Sequence, residues 1–463
     1  MEKRIGTTFV LLAGVGLLMA QNAGRYMEQP LPDAWETIST EQSAPLQPPP
    51  AAWWTVFGDS MLDSLIHVAS SGNFSLLAAI DRMEAARMNM RIERAALFPS
   101  VTLNAGWTRQ QSSGHTSSLP QSISHYYDAS LSASWEMDLF GCLRKRVKAG
   151  REQFLASREE EADVLLSLRA QVASAYISLR ELQQELKVVE HNAETQAAVL
   201  NITEVRYKTG LASKLDVAQA RSVYYSTQAT LPQIEAQIND CITTLATLTG
   251  CYPQQLRPLL SPVAELPVYM EPIGTGFPAE LLLHRPDIRQ AERLVEAQAA
   301  LLGASKSDWL PQVFLKGSVG YAAERLKDLP KHTSLTFEIA PAMTWTLFSG
   351  GKLLNATRQA QAQLDEAIHQ FNESVLSAVQ ETDQAMNAYR NSIRQVVALR
   401  EVCNQGEETL RLSIDLYKQG LSPFQNVLDA LRSLLTYQNQ LTQAQGSCSQ
   451  NLITLYKALG GGE

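Results

Sequence analysis

The chain repeats itself. Trp135 with Leu139-Phe140-Gly141 answers to Trp345 with Leu347-Phe348-Ser349-Gly350, and Tyr207-Lys208-Thr209-Gly210-Leu211 to Tyr417-Lys418-Gln419-Gly420-Leu421, an offset near 210 residues (345 minus 135). Ala95-Ala96-Leu97-Phe98-Pro99-Ser100-Val101 pairs with Ser307-Asp308-Trp309-Leu310-Pro311-Gln312-Val313 at nearly the same offset, and the copies end at Leu248-Thr249-Gly250 and Ala458-Leu459-Gly460. Landmarks in one order at one offset mark a duplicated unit. The expected organisation is a first repeat over 53–250, a Pro-rich connector over 251–280 and a second repeat over 281–460. The prolines between Pro30 and Pro50 make 21–52 an extended strap.

Each copy reads as short helix, strand, strand, long helix, turn, long helix. Leu168, Val172, Ala175, Leu179, Leu182, Leu186, Val189, Ala193, Gln196, Leu200, Thr203 and Tyr207 recur in alternating steps of three and four, a heptad seam with polar slips at Gln196 and Thr203. A helix from Leu143 to Thr209 would extend ~100 Å at 1.5 Å per residue. Ile368, Phe371, Val375, Ala378, Thr382, Ala385 and Tyr389 begin the same pattern in the second copy.

The strands alternate. In the stretch YDASLSASWEMDL, Tyr127, Leu131, Trp135 and Leu139 fall on one face, with Asp128, Glu136 and Asp138 on the other. Strands near 101–110, 127–139, 312–321 and 334–347 share this pattern, and each is about long enough to cross a bilayer when tilted. An amphipathic sheet over a soluble core is the alternative, but no other element offers a spare apolar face. Trp107, Tyr127, Trp135, Tyr321 and Trp345 lie near strand ends, as membrane-interface aromatics would. In lipid an open edge leaves backbone groups unpaired, and barrels start at about eight strands. Four strands per chain therefore call for several chains sharing one barrel, and a conduit favours three or more.

Composition narrows the function. A net charge of −8 makes nucleic acid an unfavoured partner. Glu2-Lys3-Arg4 followed by an apolar run from Thr7 to Ala20 reads as a signal peptide over 1–20. The five cysteines are too scattered for a disulfide framework, and the seven histidines form no helical metal pair. No metal site, cofactor or catalytic constellation is expected, so an enzyme has almost nothing to rest on.

Trp53-Trp54, Leu62-Asp63-Ser64-Leu65-Ile66, the junction Trp135-Glu136-Met137-Asp138-Leu139-Phe140-Gly141 and the run Leu281-Leu282-Leu283-His284-Arg285-Pro286-Asp287-Ile288-Arg289 resemble the outer-membrane efflux channels of Gram-negative tripartite pumps. The resemblance covers nearly the whole chain after residue 20. It implies a mainly α, α+β fold, in which four transmembrane β-strands per chain join a shared oligomeric β-barrel and long coiled-coil helices form a periplasmic α-barrel. It implies a homotrimer in outer-membrane lipid, docked to a periplasmic adaptor and an inner-membrane transporter, conducting drugs, detergents or similar toxic compounds without chemistry. A duct for polypeptides or metal ions, or a non-transporting coiled-coil envelope or adhesin protein, remains open on the sequence. Many members carry a lipid-modified Cys after the signal; here the first is Cys142, so no lipid anchor is expected.

Two sets of residues are candidates for function. Asp128, Glu136, Asp138 and Glu338, opposed only by Lys316, share the polar strand faces and would make an acidic lumen favouring cations. The helix turns hold Tyr207, Lys208, Gly210, Asp415, Tyr417, Lys418, Gly420 and Ser422, candidates for closing or docking contacts at the periplasmic tip. Many members have an acid soon after the second-copy Gly; this chain has Ser422, so a simple acidic ring there is not expected. Arg285-Pro286-Asp287 is read as a helix start rather than a catalytic group.

Overall fold

A computed structural model describes residues 26–27, 52–111, 113, 123–271 and 285–461. The signal segment 1–20, nearly all of the strap, residues 272–284 and most of the loop between the first two strands lie outside them. After a 3-10 turn at Trp53–Phe57, the helices are α1 (Ser60–Gly72), α2 (Phe74–Ala95), α3 (Cys142–Lys208), α4 (Lys214–Gln228), α5 (Leu231–Thr249), α6 (Pro253–Leu260), α7 (Pro286–Ser307), α8 (Lys352–Lys418) and α9 (Phe424–Ala458). The strands are β1 (Ser100–Gln111), β2 (Ile123–Met137), β3 (Gln312–Ala323) and β4 (Leu335–Thr344). No helix among the described residues is long and apolar enough to cross a membrane. The chain divides into two units: Asp81–Arg158 with Gln290–Phe371, and the described parts of Met1–Ile80, Glu159–Arg289 and Asn372–Glu463.

The first unit carries one antiparallel sheet in the order β1-β2-β3-β4, so the two repeats meet where β2 pairs with β3. The helices that flank the sheet are tied by ion pairs. The basic run at the start of α3 is consumed here: Arg144 meets Asp138 at 3.0 Å, Arg146 meets Asp308 at 3.4 Å and Lys148 meets Glu296 at 3.2 Å.

The second unit is helical. Along α3 the seam residues Leu168, Val172, Leu179, Val189 and Ala193 are buried, and so are Ala173, Tyr176 and Ile177 on a second face. Thr203 is tolerated inside because its hydroxyl donates to the Val199 carbonyl at 2.9 Å. Gln196 is buried with neither amide atom partnered among the described residues. The returning helix differs between the copies. In the second copy α9 is continuous, whereas in the first it breaks between α4 and α5, where Pro232 lacks an N–H and clashes with a preceding helical turn. The connector also contains a helix, α6, which the prolines alone did not signal.

Where α3 faces α9, the half-buried Glu181 carboxyl fits over Gly446, whose missing side chain leaves the room; an added Cβ would collide with it. Burial, then the charge of Glu185, pushes the Glu181 pKa up to about 7. Raised above its unfolded value, this carboxyl keeps its proton in the fold. Its contribution is complete below about pH 4.3 and is lost as pH rises to about 7. Discounted for residual solvent, the loss is about 1–2 kcal/mol. Glu181→Gln is therefore expected to flatten the stability–pH curve between those limits; an unchanged slope in denaturant unfolding counts against this origin.

Candidate functional site

The ladder registers decide which side chains share a face, because directly paired residues point the same way. Leu103 pairs with Leu131, Leu131 with Val319, and Val319 with Phe337, one row across all four strands. Trp107, Tyr127 and Tyr321 belong to the same face, with Trp107 and Tyr127 directly paired and their rings 6.5 Å apart. This face is bare: Leu103 is 74% exposed, Phe337 79% and Ile339 75%. The edges β1 and β4 have no further strand among the described residues.

The opposite face holds Asp128, Glu136, Lys316 and Glu338. Lys316 pairs with Ser134 and Ala340, which makes Glu136 and Glu338 its diagonal neighbours on either side, within reach of a long side chain. Asp138 does not join that row. It lies beyond the end of β2, where its carboxylate accepts from the Leu143 and Arg144 N–H groups at 3.2 and 2.9 Å and from the Arg144 guanidinium. Burial alone would raise its pKa, but the Arg144 and Leu143 donors outweigh it and hold the carboxyl below the ordinary value. Asp138 thus satisfies N–H groups at the start of α3 rather than facing an open surface.

Two tryptophans do more than sit near strand ends. The Trp135 indole N–H donates to the Leu97 carbonyl at 2.9 Å, and that of Trp345, just past β4, to the Trp309 carbonyl at 3.1 Å. Both carbonyls lie two residues before a proline, Pro99 or Pro311, at the corner between helix and strand. Trp135→Phe and Trp345→Phe are each expected to lower stability by about 1 kcal/mol by orphaning that carbonyl. Trp107, which has no such bond among the described residues, is the control: an equal loss in Trp107→Phe, measured by denaturant unfolding, would sink the explanation.

In the helical unit the two helix turns share one backbone design. Gly210 and Gly420 both adopt φ 77°, the left-handed conformation that glycine enters without strain. Leu211 N donates to the Arg206 carbonyl at 2.8 Å and Leu421 N to the Leu416 carbonyl at 2.9 Å, satisfying helix-end carbonyls in the same way. Their restarts differ. Ser213 and Asp216 form a reciprocal capping box at α4, whereas α9 follows Pro423 with no side-chain cap, and Ser422 accepts from Asn426 at 2.8 Å.

The equivalent tyrosines also differ. Tyr207 is 45% exposed; Tyr417 is 5% exposed, in a core with Val199, Phe424, Leu428 and Leu431. Tyr417 packs against Phe424, with ring centres 5.4 Å apart, and against Arg206, a residue the sequence candidates do not include. Its guanidinium sits 4.7 Å from the centre of the Tyr417 ring, and its Nη1 donates to the Lys418 carbonyl at 2.8 Å. Lys208 is exposed without a hydrogen bond among the described residues, and Asp415 and Lys418 pair with each other at 3.7 Å on one exposed helical turn. The repeat held a signal: position 206 is Arg in the first copy and its counterpart is Leu416.

The duplicated sheet-and-helix plan has known counterparts. The family profile described as outer membrane efflux protein matches residues 65–251 and 277–461, both copies in turn. The chain belongs to the outer membrane efflux protein family. It is 32% identical over 440 residues to a pyoverdine export outer membrane protein of Pseudomonas putida, spanning 93% of this chain and 92% of that protein. It is 31% identical over 412 residues to a toluene efflux pump outer membrane protein of Pseudomonas putida, spanning 89% and 85%. Among solved structures it is similar to the outer-membrane channel OprN, with TM-score 0.86 and 28% identity over 94% of this chain and 98% of that one. The outer membrane protein VceC of Vibrio cholerae gives TM-score 0.83 and 27% identity over 89% and 99%. The protein is an outer-membrane exit duct for efflux, and its mainly helical α+β fold is that of these channels.

Proposed function

We propose that three copies of the chain close a twelve-stranded barrel, and that the duct serves a tripartite pump expelling small toxic or hydrophobic compounds. The observation that carries this is the four-stranded sheet with one bare apolar face and two edges that no strand among the described residues pairs. In lipid that face needs no protein cover, but the edges must be paired, and further copies of the chain supply the partner strands. Trp107, Tyr127 and Tyr321 then lie at a membrane interface. The names of the toluene, solvent, antibiotic and pyoverdine export relatives support small-molecule cargo over polypeptides or metal ions. The duct performs no chemistry; an inner-membrane transporter supplies the energy, and a periplasmic adaptor and that transporter engage the helix turns around Gly210 and Gly420.

Deleting the chain should sensitise cells to detergents, bile salts and hydrophobic drugs, and restoring it should reverse this. Unchanged susceptibility argues against multidrug export, and a purified particle of two or four chains by light scattering argues against the trimer. Asp128, Glu136 and Glu338 against Lys316 give the inner wall an acidic excess. Cation preference is therefore expected in reversal potentials across a salt gradient, and anion preference overturns the acidic-lumen reading.

A further inference from the structure

Charge is distributed unevenly between the two faces of the sheet. Asp128, Glu136, Lys316 and Glu338 all lie on the polar face. On the apolar face the described strand residues include a single formally charged side chain, Arg109, directly paired across the ladder with His125. The pair follows the Trp107–Tyr127 row on the same face, about 7 Å further along the strands. It stands at the end of the sheet away from the connections to α2 and α3. Arg109 and His125 are both exposed, and neither has a hydrogen bond or ion pair among the described residues.

Keeping the strand ends wet does not explain this placement. In the corresponding rows of the polar face stand Thr108 with Tyr126 and Gln110 with Ser124, all uncharged. A cation on the lipid side, just past an aromatic row, is at the depth where hydrocarbon gives way to headgroups. An arginine fork matches phosphate oxygens two at a time, and a neighbouring imidazole adds a further N–H donor. Arg325 and Lys327 are exposed in the turn after β3 at the same end of the sheet; with Glu324 beside them and Asp328 paired to Lys331, that turn keeps a small positive excess.

We propose that Arg109 and His125 form an outward-facing site for the phosphate of an anionic lipid headgroup in the outer leaflet, one site per copy of the chain. The proposal rests on the membrane reading of the sheet, with this end outermost. The lipid ties the first hairpin to the bilayer at a fixed depth, while the acidic groups on the other face remain with the aqueous lumen.

The test uses the full chain purified in detergent, its pore activity first measured in planar bilayers. Native mass spectrometry then follows retention of added bisphosphorylated lipid A, its dephosphorylated form, and inorganic phosphate as competitor. The Arg109→Gln/His125→Gln double variant should bind the phosphorylated lipid about tenfold more weakly than the unmodified chain. Arg109→Lys, which keeps the charge but not the fork, should fall between them. Lys214→Gln, which removes a cation from α4, should leave retention unchanged, and the dephosphorylated lipid should not discriminate between the chains. Equal retention by the double variant and the unmodified chain overturns the proposal, as does displacement of the lipid by inorganic phosphate. A chain that forms no pore overturns the membrane reading and the proposal together; a conducting channel with equal lipid retention overturns the proposal alone.

Discussion

Arg285→Ala is expected to lower stability by about 2–3 kcal/mol. Arg285 is nearly buried and has three kinds of partner. Its Nε and Nη2 donate to Asp287 at 3.1 and 2.8 Å, Nη2 also reaches Glu381 at 2.8 Å, and Nη1 donates to the Ala458 carbonyl at the end of α9 at 2.8 Å. One guanidinium thus joins α7, α8 and α9. Glu381 keeps much of its solvent, so its share is discounted, and Thr382 still donates to the Ala458 carbonyl at 3.2 Å. Arg285→Lys should recover less than half of the loss, because an ammonium cannot reproduce the fork.

The pH dependence supplies a second readout. Burial and the charge of Asp287 already hold the nearby Asp163 carboxyl above its ordinary pKa, while Lys457 and Arg285 pull it down. Without Arg285 the Asp163 carboxyl loses a cation that favours its charged form, so the deficit of Arg285→Ala should shrink as pH falls and Asp163 protonates. Denaturant unfolding of the detergent-solubilised protein at two pH values measures both. A deficit below 1 kcal/mol at neutral pH, or one that grows on acidification, refutes the account.

The sheet was legible because strand side chains alternate with a period of two, and a face exposed to lipid keeps that pattern uncorrupted by core packing. Leu131, Val319 and Phe337 share one face as the alternation requires, although alternation leaves their register open. Alternation does not say where pairing stops. Asp138 continues the polar series in the sequence, yet the strand has ended and the backbone N–H groups of α3 claim its carboxylate. Nor does alternation reveal that Trp135 and Trp345 each donate to a corner carbonyl, since that bond depends on the helix that precedes the strand. The heptad seam located the burial of Leu168, Val172 and Leu179 on α3, but not its second buried face around Tyr176, because a helix packed on two sides loses the clean polar stripe that defines one. The turns show the limit most plainly. Tyr207 and Tyr417 occupy equivalent places in the repeat, yet Tyr417 meets Arg206, whose counterpart is Leu416, and packs on Phe424, whose first-copy counterpart is Lys214.

Arg206→Ala is expected to raise the conductance of the reconstituted duct. The side chain belongs to the first repeat, whereas both of its partners, the Tyr417 ring and the Lys418 carbonyl, belong to the second. It is therefore a tie between the two helix turns, made of one charge-assisted hydrogen bond and one cation–π contact, together about 2–3 kcal/mol. If the turns close the resting pore, removing a tie that holds them together shifts the population toward wider apertures. A change of about 2 kcal/mol moves that equilibrium roughly thirtyfold. Arg206→Lys retains charge but loses the planar stack and should lie between the two. Tyr417→Phe keeps the ring, and the Tyr417 hydroxyl has no partner among the described residues, so that variant should conduct like the unmodified channel. Single-channel recording in planar bilayers separates gating from mere loss of fold. Arg206→Ala with lowered unfolding midpoint but unaltered conductance would assign Arg206 to stability alone, and Tyr417→Phe conducting as strongly as Arg206→Ala would move the tie to the hydroxyl.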